Sequence, residues 1–170
     1  MDGTLAMIFA IVGLSDMVLN DCPTGCLAER PADRRLSFQA SGVQFQDDWI
    51  GSELVLGYEY DRRFGPFQPL ASVSFTEEGD VWIGGGVKWR YALGQSDFFV
   101  DGSFQPGLWA RNDGPDLGGV LQFRSALGLG YAFTDQSAVV VSFDHRSNGD
   151  TQSVNPGLET LSIQYSMTLD

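Results

Sequence analysis

Apolar and polar residues alternate with a period of two along most of the chain after Arg35. No stretch of that region keeps the 3.6-residue apolar period of an amphipathic helix, and turn residues separate the runs. The pattern predicts an all-β fold. Eight strands are expected: one from Leu36 to Phe45 with a phase shift at Gly42, then Ser52–Tyr60, Leu70–Phe75, Val81–Tyr91, Phe98–Phe104, Val120–Phe133, Ala138–His145 and Glu159–Leu169.

The two faces of these strands distinguish a membrane barrel from a soluble one. In the last strand one face carries large apolar residues from Leu161 to Leu169, and the other carries only Thr, Ser and Gln. The polar faces of the other strands are also rich in Gly, Ser and Ala, as the narrow interior of an eight-stranded barrel requires. Charged residues on the inward face are expected to pair there: Glu53, Glu59, Lys88, Arg90, Asp101, Arg124, Asp144 and Arg146.

We therefore predict an eight-stranded antiparallel transmembrane β-barrel whose apolar outer face meets lipid. An even number of strands, most of them about ten residues long, is typical of such barrels. A soluble β-sandwich is the alternative, and it would have to explain why acids and bases share a face with glycines. The two longest connections, Gln105–Gly119 and Asn148–Gly157, are expected to be extracellular, because outer-membrane barrels have short periplasmic turns and long outer loops.

Composition and the N-terminus limit the remaining function classes. The chain has 10 Lys+Arg and 22 Asp+Glu, and a net charge of −12 argues against nucleic acid as a partner. Leu5–Leu14 is an apolar run with the length of an export-signal core, although no basic residue precedes it. We expect residues 1–28 to be an atypical export segment, 29–35 a lead-in and 36–170 the barrel; a buried or disordered N-terminal segment is the alternative. Cys22 and Cys26 form a poor metal site and are candidates for a short-loop disulfide.

The only histidine of the chain, His145, continues the outer face of the seventh strand, and Ser147 follows on the same face. Stepping back by two along the eighth strand from Leu161 reaches Glu159, so all three side chains are predicted to project from the outer wall. Pairing of Ser147 near Leu158 would place His145 opposite Thr160 and diagonal to Glu159. Serine, imidazole and carboxylate form a nucleophile, a base and an orienting acid, although interfacial polar residues are the alternative.

The motif Phe143-x-His145-x-Ser147-Asn148, followed by Asn155-Pro156-Gly157 and then Glu159, resembles the lipid A 3-O-deacylases of the PagL type. The resemblance extends weakly from about Leu36 to Leu169. It implies a Ser147 nucleophile, a His145 base and a Glu159 orienting acid. An oxyanion hole from Asn155, with Asn148 or the Gly149 N–H, is implied as well.

The resemblance further implies an esterase that removes the 3-hydroxyacyl chain from lipid A of lipopolysaccharide, without metal or cofactor. The enzyme is expected in the outer membrane of a Gram-negative bacterium, with its active site at the outer leaflet. The oligomeric state stays open, a homodimer included. The predicted acyl-chain wall comprises Phe143, Val141, Leu161, Ile163, Phe123 and Leu127.

Two other functions are compatible with the sequence. An outer-membrane phospholipase would need a calcium site near Ser147, for which Asp150 alone is thin support. A structural or adhesion barrel would bind a partner through the loop Gly107–Asp116, with Trp109 and Arg111 as its contacts. Trp109 fits the role of an interfacial anchor better.

Overall fold

The barrel predicted from the alternation is present. The computed structural model describes residues 3–169, so Met1, Asp2 and the last residue of the predicted barrel range, Asp170, lie outside the described residues. The elements follow in chain order: α1 Thr4–Asp16, a π-turn Met17–Asp21, a 3₁₀-turn Cys22–Thr24, β1 Glu29–Pro31, β2 Arg35–Phe45, β3 Asp48–Glu59, β4 Arg62–Phe64, β5 Phe67–Thr76, β6 Val81–Ala92, β7 Phe98–Ala110, β8 Leu121–Ala132, β9 Ala138–Ser147 and β10 Leu158–Thr168.

Eight of the ten strands close into one antiparallel barrel. Each of β2, β3 and β5–β10 pairs with two neighbours, and the β5–β6 and β2–β10 pairings complete the ring. The short strands β1 and β4 pair with each other beside β5. The two long loops, 111–120 and 148–157, lie at one end of the barrel, which we call the loop end. The short turns 93–97 and 133–137 lie at the opposite end, the turn end.

The interior ion pairs predicted from the inward faces are confirmed. At the loop end Arg146 contacts Glu53 at 2.6 Å, and Arg124 contacts Asp144 at 2.8 Å. Toward the turn end Lys88 lies 2.8 Å from both Glu59 and Asp101, and Arg90 lies 3.5 Å from Asp101. Isolated charges at these depths would be costly to bury, so each is compensated by an opposite charge.

Three details of the sequence interpretation are wrong. Strand β2 keeps its alternation through Gly42, and the register shift instead lies where β3 passes Val43 and Gln44, with Ile50 as the extra residue. Strand β7 runs on to Ala110, which shortens the loop that follows it. Trp109 is consequently an inward core residue, 3% exposed, and packs with Val43, Trp82, Leu117 and Leu158.

The N-terminal segment lies on the outside of the barrel. Phe9 of α1 packs against Phe67, with ring centroids 5.9 Å apart, and Trp89 donates a hydrogen bond to Asp16 at 3.0 Å. Thr4–Thr24 is long and apolar enough to cross a membrane, a property that export signals share. Cys22 and Cys26 form a disulfide. The segment therefore covers part of the outer wall of β5–β8.

Candidate active site

His145 and Glu159 face each other directly on the outer wall near the loop end. The two residues are Cα partners in the β9–β10 ladder, and Thr160 pairs with Asp144 instead. The register predicted from the sequence was therefore wrong by one residue. His145 Nδ1 lies 3.7 Å from Glu159 Oε1, within ion-pair range for a protonated imidazole and longer than a neutral hydrogen bond.

Ser147 is the last residue of β9 and lies on the same outer face, two positions beyond His145. Its Cα partner on β8 is Phe123. Ser147 and His145 are only 7% and 5% exposed, although lipid-facing neighbours such as Val141 and Leu161 are about half exposed. The structure thus brings the three residues to one patch, which we call the triad patch, and partly shelters two of them.

The imidazole of His145 has no hydrogen-bond partner on either nitrogen within the part of the chain that the structure describes. Buried polar atoms in folded proteins are nearly always paired, so an exception needs an explanation such as a catalytic role. Catalytic hydrogen bonds are often long before substrate is bound and shorten in the reacting complex. The unpaired imidazole of His145 is therefore compatible with the role of base that the sequence predicts.

Gly157 fixes the loop that passes over His145. Its φ is +76°, a left-handed conformation that favours glycine, and a Cβ built there would lie 2.8 Å from His145 Cε1. Only a residue without a side chain lets the loop approach the imidazole this closely. The close approach of the loop to His145 therefore explains why the Asn155-Pro156-Gly157 motif carries a glycine at this position.

The three predicted oxyanion donors occupy different positions. The side chain of Asn148 is fully buried and donates to the carbonyl oxygens of Leu117 and Val154, at 3.0 and 2.6 Å. Asn155 accepts the Asn148 N–H at 3.0 Å and donates to Asp150 at 2.9 Å. Asn148 thus ties the two long loops together, and its own N–H is occupied.

A cavity of about 330 Å³ opens beside the triad patch. It is lined by Phe104, Phe123, Ser125, His145, Ser147, Gly149, Asp150 and Asn155, together with Gly3, which precedes α1, and Ala6 of α1. Asn155 and Gly149 therefore border the space next to Ser147, whereas Asn148 does not. The phenylalanine rings of Phe104 and Phe123 stack with centroids 6.0 Å apart and form its apolar floor.

The predicted acyl-chain wall is a continuous outer surface around this cavity. Val141, Leu161 and Ile163 are 51%, 53% and 61% exposed, so they are available to hydrocarbon. Leu127, Phe143 and Leu161 form one cross-strand row directly below the row of His145. Apolar surface therefore continues from Phe123 at the cavity along the outer wall.

Sequence reasoning missed Ser125. It is the Cα partner of His145 on β8, lies on the outer face, is 4% exposed and lines the cavity. Its position between Phe123 and Leu127 in an otherwise apolar outer face was a readable signal, since the same parity singled out His145.

Within the described residues, no group of three or more His, Cys, Asp or Glu could hold a metal ion.

The interior network lies directly behind the triad patch. Arg146, between His145 and Ser147 in sequence, points inward, is 1% exposed and stacks over Trp109 with its guanidinium carbon 4.8 Å from the ring centroid. Its salt bridge to Glu53 on β3 anchors this end of β9 across the barrel. The backbone that carries His145 and Ser147 is therefore held in place from inside the barrel.

The closed barrel, its apolar outer belt and its interior ion pairs define the chain as an outer-membrane-type β-barrel. The model of the lipid A 3-O-deacylase (PagL) family matches residues 35–168, and the chain belongs to this family. No curated protein matches the chain.

Solved structures show the same fold. The outer-membrane enzyme PagL is 20% identical, with a TM-score of 0.65 over 79% of this chain and 99% of that one. A de novo designed transmembrane β-barrel is 11% identical, with a TM-score of 0.61 over 82% and 98% of the two chains. Neisserial surface protein A is 11% identical, with a TM-score of 0.57 over 84% and 99%. Identities this low support the architecture alone.

Proposed function

We propose that the protein is an esterase of the outer membrane that hydrolyses the 3-O-linked 3-hydroxyacyl chain of lipid A. Its family membership supports the reaction, and the outward position of the triad patch supports the direction of substrate entry. The observation that carries the proposal is the direct pairing of His145 with Glu159 on the lipid side of the barrel, with Ser147 two residues away. Lipid A lies in the outer leaflet, where a site on this wall meets an ester from the side.

In the proposed mechanism His145 takes the proton of the Ser147 hydroxyl as its oxygen attacks the ester carbonyl carbon. Glu159 accepts a hydrogen bond from the Nδ1–H of His145, which selects the tautomer and stabilises the imidazolium. The bond between the carbonyl carbon and the sugar oxygen then breaks, and His145 returns its proton to that oxygen. Water deprotonated by His145 attacks the acyl-enzyme, the Ser147 oxygen leaves with the proton, and a 3-hydroxy fatty acid is released.

Asn155 and the Gly149 N–H are the proposed oxyanion donors. Both residues border the cavity beside Ser147, and the second N–H of the Asn155 amide is left after its bond to Asp150. Asn148 is proposed to hold the loops that carry these donors, since its side chain is committed to two loop carbonyls. Donors aimed at the developing charge usually contribute the largest single share of such catalysis.

The proposal is tested by incubating the purified protein in detergent with lipopolysaccharide and weighing the lipid A by mass spectrometry. We expect the loss of one hydroxyacyl unit, and Ser147→Ala should abolish it with an unchanged circular dichroism spectrum. Release of fatty acid from phospholipid instead would favour the phospholipase. Unchanged lipid A and phospholipid would contradict the esterase and favour a structural barrel.

We also propose that residues 1–28 are an export segment that is removed. Gly3 and Ala6 border the cavity, so loss of the segment would open the site to lipid. N-terminal sequencing of protein extracted from outer membranes should begin at Glu29. A sequence that begins upstream of α1 would contradict this.

A further inference from the structure

Ser125 lies at the candidate site, but the proposed mechanism gives it no role. It lies in one cross-strand row of outward residues that runs from Phe104 through Ser125 and His145 to Glu159. Its side chain is 4% exposed and borders the cavity beside Ser147. Within residues 3–169 its hydroxyl makes no hydrogen bond. Loss of residues 1–28 would leave this hydroxyl facing lipid beside Phe104, Phe123 and Leu127, and a polar group in an apolar setting calls for a polar partner from outside the chain.

We propose that Ser125 binds the hydroxyl group of the 3-hydroxyacyl chain and makes the site select hydroxylated over plain acyl esters. The proposal rests on the proposed esterase function and goes beyond it to the determinant of substrate choice. The ligand class is a fatty acyl ester with a hydroxyl on the second carbon beyond its carbonyl carbon. Ser125 acts as a specificity residue and takes no part in bond breaking.

The spacing between the two serines fits this substrate. Ser147 pairs with Phe123, so Ser125 is its diagonal neighbour on β8. Diagonal neighbours lie about 7–8 Å apart at Cα, and somewhat less at Cβ. An attacking oxygen sits about 3–3.5 Å from the carbonyl carbon before reaction. Two carbon–carbon bonds, the carbon–oxygen bond of the 3-hydroxyl group and a hydrogen bond of about 2.8 Å complete the path, which spans a similar distance when the chain bends between the two serines.

The surroundings of Ser125 explain why the bond would discriminate. Phe104 is its Cα partner on β7, and Phe123 and Leu127 flank it on β8. An acyl chain that lies against these residues displaces water or lipid from the serine. A plain chain then leaves the hydroxyl of Ser125 without a partner, and a hydroxylated chain satisfies both hydroxyl groups at once.

A competing role for Ser125 is a hydrogen bond to the imidazole, since it is the direct partner of His145. In that role the serine would orient the base, and its loss would slow every ester equally. Selection of the substrate predicts instead that only the hydroxylated ester is affected. The two roles therefore differ in a ratio of rates, which is independent of how much active protein a preparation contains.

The experiment measures kcat/KM in mixed micelles for two 3-O-acylated glucosamine lipids of equal chain length, one with a 3-hydroxyacyl and one with a plain acyl group. The wild type should prefer the hydroxylated ester by about tenfold, the size of one net hydrogen bond. Ser125→Ala should remove that preference by slowing the hydroxylated ester alone. Ser125→Thr, which keeps a hydroxyl, should retain most of it.

Leu127→Ala is the matched control, because Leu127 is the next outward residue on β8 and carries no hydroxyl. It should change both rates together and leave their ratio as in the wild type. Equal slowing of both esters by Ser125→Ala would overturn the proposal and assign Ser125 to orienting His145. A wild-type ratio of one would overturn it as well. No hydrolysis of either ester by the wild type would mean that the esterase function itself fails.

Discussion

The inner and outer walls of β8–β10 differ in how closely their charged and titratable side chains are paired. On the inner wall Arg124 and Arg146 contact Asp144 and Glu53 at 2.6–2.8 Å. On the outer wall, one residue away along β9, His145 makes no hydrogen bond within the described chain and lies 3.7 Å from Glu159. The two sets share the same strands and the same end of the barrel. The catalytic role proposed for the outer set would account for this difference.

Paired interior charges hold the strands together, whereas the outer groups are proposed to act on a substrate. A polar group without a partner in an apolar setting destabilises a protein, typically by about 1–3 kcal/mol, and persists where it serves a purpose. Mutations of the inner wall should consequently lower the free energy of unfolding. Mutations of the triad patch on the outer wall should mainly lower the rate of hydrolysis.

The largest effect is expected from Glu53→Gln on the inner wall. Glu53 is 1% exposed and is the salt-bridge partner of Arg146, and it also lies 3.7 Å from Arg124. Removing its charge leaves a buried guanidinium without its counter-charge, and the free energy of unfolding should fall by about 3–5 kcal/mol. Urea unfolding in detergent measures this. Asp61→Asn, at an exposed pair with Arg62, is the control and should change stability by less than about 1 kcal/mol. Equal losses of unfolding free energy in Glu53→Gln and Asp61→Asn would contradict a special contribution of the interior ion pairs to stability.

Asn155→Ala should give the next largest effect, on activity. Loss of one oxyanion donor lowers kcat by about 10²- to 10³-fold, and KM should stay near its wild-type value. Asn148→Ala is the informative comparison. The buried Asn148 side chain donates to the carbonyl oxygens of Leu117 and Val154, so its removal should lower the free energy of unfolding instead. Asn155→Ala with wild-type kcat, or with a loss of stability alone, would contradict the role of this amide as a donor.

Gly157→Ala should have a smaller effect on stability with a distinct effect on activity. A Cβ would meet His145 Cε1 at 2.8 Å, and the positive φ adds strain of about 1–2 kcal/mol. Displacement of the imidazole by a fraction of an ångström to one ångström should slow hydrolysis by up to about 10²-fold. Gly94→Ala is the matched control, since Gly94 has φ +66° with no atom near its Cβ position. Gly94→Ala should show the strain without the loss of activity, and the same activity in both variants would refute the steric argument.

Alternation in the sequence was sufficient to predict the barrel, its interior charges and the outward face of the triad patch. Residue parity decides which side of a strand a side chain occupies, and no tertiary information is needed for that. Alternation alone could not predict the register between strands or the residues at which strands end. The pairing of His145 with Glu159 depends on how the loop 148–157 closes, and the inward position of Trp109 depends on packing with Trp82 and Leu158.

The sequence analysis missed the packing of α1 along the outer wall and the position of Ser125 beside His145, and the two were missed for different reasons. The first depends on contacts between distant segments, such as that of Phe9 with Phe67. The second needed only the parity already applied to His145, extended to a polar residue on the neighbouring strand. The pairing of β8 with β9 then shows which outer-face residue lies beside the imidazole.

A covalent label tests most directly whether the lipid-facing wall of β9 carries a serine nucleophile. The protein in detergent is treated with a long-chain alkyl fluorophosphonate, which reacts only with activated serines, and the modified peptide is identified by mass spectrometry. The account predicts one adduct, on Ser147, which disappears in His145→Ala and remains in Ser125→Ala. No adduct on Ser147 in the wild type, or an adduct on Ser125 in its place, would contradict it.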